Sequence, residues 1–113
     1  MQAFSVDHLS KEEVRRLAKA LPEFTKPSPL DGLFWIPIPE EILSPVQRAH
    51  VSCQPHYFAV ELGEDFISFD FLVRNFQRIR CDCIAPATNQ QKLFLLELAK
   101  KIFATAGVEM RKG

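Results

Sequence analysis

The stretch that decides the fold is "HYFAVELGEDFISFDFLVR", residues 56–74. Two apolar alternations flank a short turn. His56, Phe58, Val60 and Leu62 share one face of the first run, and Ile67, Phe69, Phe71 and Val73 share one face of the second. Period two is the signature of a strand, and "LGED" between the runs makes them a hairpin. Pairing Val60 with Ile67 places both apolar sets on one side, with Tyr57, Glu61 and Asp70 on the other. The alternation then continues in "RIRCDCIA" (78–85), where Ile79, Cys81, Cys83 and Ala85 oppose Arg78, Arg80, Asp82 and Ile84. That pattern predicts a third meander strand with both cysteines facing the core. The turn at "RNFQ" permits Asp70 to oppose either Asp82 or Arg80, and the attractive pair is the expected one.

Helices frame this hairpin. Ser10 with Glu13 forms a capping box, Leu9 and Val14 have the spacing of a hydrophobic staple, and Val14, Leu17, Ala18 and Leu21 make one apolar stripe that Pro22 ends. "SPVQ" (44–47) repeats the pattern: Ser44 as cap, Pro45 at the first position, Gln47 closing the box, for a short helix to about residue 52. A third box, Thr88 with Gln91, opens a helix over 89–106 that Gly107 ends. Its apolar arc, centred on Leu95, Leu98, Ala99, Ile102 and Ala106, is wider than one sheet contact requires, so either the first helix or a second subunit packs beside it.

From Pro22 to Pro45 lie six of the eight prolines. "KPSPLDG" reads as an extended connection closing in a turn, because Pro fixes φ and Gly accepts positive φ. Phe34, Trp35 and Ile36 of "LFWIPIP" favour a strand, and Pro37 and Pro39, which cannot donate to a ladder, place it at a sheet edge or stop it there. The expected fold is therefore two-layer α+β, order α-β-α-β-β-β-α: an antiparallel sheet of three to four strands covered on one face by two longer helices. It spans 1–113 as a single domain, with a Pro-rich connection at 22–32 and frayed ends at 1–7 and 108–113.

The totals narrow the function. Fourteen basic residues balance fourteen acidic ones, which removes the cation excess that nucleic acid or anionic membrane demands. Tyr57, Phe66 and Phe76 with Arg74, Arg78 and Arg80 form only a thin single-strand-binding pattern, opposed by Glu61, Asp70 and Asp82. No apolar run approaches the ~20 residues of a membrane-spanning helix. The N-terminus lacks a signal-peptide pattern and the cysteine count is odd, so a reducing, cytoplasmic setting is expected. There is no Gly-x-Ser-x-Gly elbow and no phosphate-cradling Gly-rich loop.

Two readings remain. The first is a non-enzymatic protein-interaction module without a cofactor, self-associating as a homodimer or binding another protein through Phe34, Trp35, Leu93 and Phe94, since excess apolar surface and Trp mark partner sites. The alternative is a small zinc-binding protein, or a metal-dependent enzyme, using His50, Cys53 and His56 of "HVSCQPH" with Cys81 and Cys83 of "CDC". Thiolate and imidazole are the donors Zn²⁺ prefers. Against it, free cysteine commonly serves as a small buried hydrophobe, and a strand would give Cys81 and Cys83 that role.

Overall fold

Each helix begins where a capping box stands. The computed structural model describes residues 3–75 and 81–110. Helix α1 (Lys11–Ala20) starts at Ser10, α2 (Pro45–Ala49) at Ser44 and α3 (Asn89–Ala106) at Thr88, with both hydrogen bonds of the box present in all three. Pro22 ends α1 in one 3-10 turn, Leu21–Glu23, and α2 gives way to another, Val51–Cys53. Gly107 closes α3 at φ 69°, a left-handed cap that costs glycine nothing.

Among the described residues the strands are β1 (Ala3–Val6), β2 (Lys26–Pro27), β3 (Leu33–Pro37), β4 (His56–Leu62), β5 (Ile67–Asp70), β6 (Leu72–Asn75) and β7 (Ala85–Pro86). They pair antiparallel in the order β1-β5-β4-β3-β2, with β6 extending along β4 beyond β5 and joining β7. The α+β class and the antiparallel hairpin are as the sequence indicates, and the strand count is larger.

One face of the sheet is the core. Phe58, Val60, Ile67, Phe69 and Val73 are fully buried there against Leu17 and Leu21 of the α1 segment and Leu95, Ala99 and Ile102 of α3. Side chains of this size contribute ~1.5–3 kcal/mol each when fully buried. Helix α1 lies beside α3, so the wide apolar arc of α3 is covered within the chain. The other face carries Ser5, Trp35, Tyr57, Glu61, Ser68 and Asp70, with the Ser5 and Ser68 hydroxyls 3.0 Å apart. Among the described residues no helix is long and apolar enough to cross a membrane.

Five expectations are corrected. Residues 1–7 do not fray throughout, because Ala3–Val6 pairs with β5 and buries Val6. Val108, within the second stretch expected to fray, is buried and bonds its N–H to the Phe103 carbonyl. Strand β3 stops at Pro37, as one alternative had it, but it is not the edge, because Lys26 and Pro27 pair with Trp35 and Phe34. The hairpin register is Val60 opposite Phe69 and Leu62 opposite Ile67, two residues from the expected pairing and therefore on the same faces. The run 66–74 is two strands: β4 meets Phe69 at Val60 but Arg74 at Tyr57, so extra residues bulge out around Phe71.

A further correction bears on function. "CDC" is a turn, closed by the Ile84 N–H on the Cys81 carbonyl at 3.0 Å, and within 81–86 strand pairing starts at Ala85. Asp70 therefore does not oppose Asp82, and the alternative pairing with Arg80 falls outside the described residues. Its cross-strand neighbour is Ala3, and its carboxylate pairs with Arg74 at 3.0 Å. Phe76, Arg78, Ile79 and Arg80 lie outside the described residues.

Candidate metal centre

Two short segments meet beside the lower end of β4. The first is the end of α2: His50 is its C-cap, and the following 3-10 turn brings Cys53 round three residues later. Three residues make one turn of a 3-10 helix, so the two side chains project the same way. The second segment is the turn 81–84, which presents Cys81 and Cys83. The sequence pattern pointed those cysteines into a strand core; the turn points them at each other instead.

The four ligand-type atoms lie within 4.8 Å of one another. His50 Nδ1 is 2.9 Å from Cys81 Sγ, Cys53 Sγ is 3.5 Å from it, and the Cys83 thiol donates to it across 3.0 Å. All three cysteines are free thiols. A tetrahedral Zn²⁺ with Zn–S bonds of ~2.3 Å has sulfur–sulfur edges of ~3.8 Å. The two sulfur–sulfur separations above, 3.0 and 3.5 Å, are shorter than this edge by less than 1 Å, a difference that side-chain adjustment could close around an ion.

Charge also favours a cation. Hydrogen bonds from the Cys83 backbone N–H and thiol hold the Cys81 thiol down, to about 6, assisted by Cys53 and His50. Burial, together with the neighbouring thiols, pushes Cys83 up to about 12. A lowered Cys81 thiol is the easier to deprotonate, and a bound divalent ion deprotonates coordinating thiols outright. Cys53 and Cys83 are buried, while His50 and Cys81 are half-buried at the surface side.

An outer ring of polar groups braces these residues. Asn75 Nδ2 donates to Cys83 Sγ at 3.3 Å. Gln47 Nε2 donates to the Cys83 carbonyl at 3.1 Å, and Gln91 Nε2 donates to Gln47 Oε1 at 2.9 Å. Both glutamines are buried. Their places in capping boxes are visible in the sequence; their burial beside the cysteines is not, because the contact spans 36 residues.

His56 stays outside the cluster. It is 1% exposed, and neither ring nitrogen has a hydrogen-bond partner among the described residues. The apolar candidates are dispersed. Phe34 and Phe94 pack against the core cluster, Trp35 projects from the opposite sheet face with its ring 6.3 Å from that of Tyr57, and Leu93 is 63% exposed on α3. The chain matches no protein-family model, no curated protein and no solved structure.

Proposed function

We propose that this chain is a small zinc-binding protein whose Cys3His centre is structural, tying α2 to the turn before β7. One observation carries the proposal: four zinc-type donors from segments about thirty residues apart converge within 4.8 Å. Packing alone gives no reason for three sulfurs and an imidazole to occupy the vertices of one small polyhedron. Four protein ligands fill a tetrahedron and leave no position for water or substrate, which is the arrangement of structural rather than catalytic zinc. Thiols must be reduced to bind metal, which suits a reducing, cytoplasmic setting.

Metal analysis of untagged protein tests this. About one equivalent of zinc per chain is expected; a folded, metal-free protein that takes up none would refute it.

A second reading concerns the biological role. The sheet face away from the helices holds a recess of about 280 Å³ lined by Ala3, Leu33, Trp35, Ala59, Glu61 and Arg74 among others. A half-buried Trp beside such a recess supports the interaction-module reading, with self-association through this face. Light scattering at two concentrations decides it, and a strict monomer for both the protein and its Trp35→Ala variant would remove self-association.

A further inference from the structure

We infer that Gln47 is the positioning residue that holds the two halves of the metal centre in register. This rests on the zinc reading above. Gln47 sits at the third position of α2, the helix that ends in His50 and leads to Cys53. Its side chain is 1% exposed. Oε1 accepts from the Ser44 backbone N–H and from Gln91 Nε2, both at 2.9 Å, while Nε2 donates to the Cys83 carbonyl at 3.1 Å. One amide thus links the helix supplying His50 and Cys53 to the turn supplying Cys81 and Cys83.

The choice of glutamine follows from this geometry. A capping box asks its third residue only for an acceptor, which glutamate supplies equally well. The donor is surplus to the helix, and here it meets the carbonyl of a ligand residue. The amide cannot be flipped, because two N–H donors fix its oxygen. Gln91 supplies one of them and also donates to the Ile42 carbonyl at 2.9 Å, so the orientation is set from α3 as well. Without the Gln47 donor the Cys83 carbonyl loses this buried partner, and the turn is free to swivel and draw Cys83 Sγ off its vertex. Outer partners of this kind change metal affinity by about 10–100-fold.

The test compares Gln47→Glu, which keeps both acceptor roles and loses the donor, with Gln47→Met, which keeps the shape without charge, in case the glutamate variant does not fold. Ser10→Ala, which weakens the cap of α1 remote from the site, controls for lost stability. Zinc release into excess chromophoric chelator should be at least ~10-fold faster in the Gln47 variants. The sulfur-to-cobalt charge-transfer bands of the Co²⁺-loaded variants should shift and weaken, while Ser10→Ala keeps the spectrum and release rate of the unmodified protein. Unchanged spectra with release within about threefold of the unmodified protein would overturn the inference, as would equal acceleration by Ser10→Ala. Absence of metal uptake by the unmodified protein would instead overturn the zinc centre itself.

Discussion

At Cys83, filler and ligand differ in what surrounds the sulfur. A filler cysteine touches carbon; Cys83 Sγ meets another sulfur and an amide N–H. Cys83→Ala therefore separates the two roles. A filler would lose about 1 kcal/mol of burial and nothing else. As a ligand, its loss should lower zinc affinity by more than the ~100-fold limit of outer-partner changes, read by competition with a chromophoric chelator. His56 offers the opposite test. Burial, and then the charge of His50, lowers its pKa below 6.5. The unfolded chain then binds this proton more readily than the folded one. Stability from the neutral ring is complete above pH ~6.5 and is lost as pH falls through that value. His56→Leu removes two buried nitrogens without a hydrogen-bond partner among the described residues, so it should be neutral or stabilising by up to ~1–2 kcal/mol at pH 7.5. Its advantage should grow at pH 5.5, in urea titrations run side by side. An equal acid loss in both proteins would assign the sensitivity elsewhere.

Elements were readable in proportion to how local their causes are. The capping boxes at Ser10, Ser44 and Thr88 need only residues three apart, and all three stand as the sequence indicates. Burial alternation along Ile67, Phe69, Phe71 and Val73 also holds, even though the strand breaks at Phe71. The alternation of "CDCIA" (81–85) misled because it fits a strand and a turn alike; only long-range contacts with α2 distinguish them. The spacing of His50, Cys53 and His56 was ambiguous for a related reason. A 3-10 turn brings the first two together, and the start of β4 carries the third away. Edge strand β1 is short and pairs with residues more than sixty positions distant, which no window reveals. Gly32 is a local case with a firm expectation. It sits at φ 78°, where an added Cβ would stand 2.7 Å from the Leu62 carbonyl oxygen. That oxygen is backbone and cannot yield cheaply, since Leu62 N–H bonds the Gly32 carbonyl at 2.7 Å. Gly32→Ala should cost at least ~1–2 kcal/mol from the left-handed backbone alone, seen as a lower urea midpoint. A change below a few tenths would mean the turn rebuilds.

On the scale of the molecule, the helical layer and the proposed metal centre would serve different parts of the chain. Helices α1 and α3 close the core over β5 and the middle of β4, whereas α2 and the 81–84 turn lie outside that sandwich and offer it few large side chains. On the zinc reading, the four side chains would supply there the cohesion that apolar area supplies elsewhere, with Gln47 and Gln91 joining this region to the start of α3. The two-layer class could be read from periodicity because each layer has its own period. The centre could not, because it depends on a bulge, a turn and a 3-10 corner meeting in space. Thermal unfolding of zinc-loaded against chelator-treated protein addresses the centre directly. With free zinc ~1,000-fold above its dissociation constant, stabilisation of ~4 kcal/mol is expected, an upward Tm shift on the order of 15 °C for a chain of this size. Cys53→Ser should abolish the shift. Identical unfolding curves with and without zinc would mean that these four side chains hold no ion, and that the turn stands on packing alone.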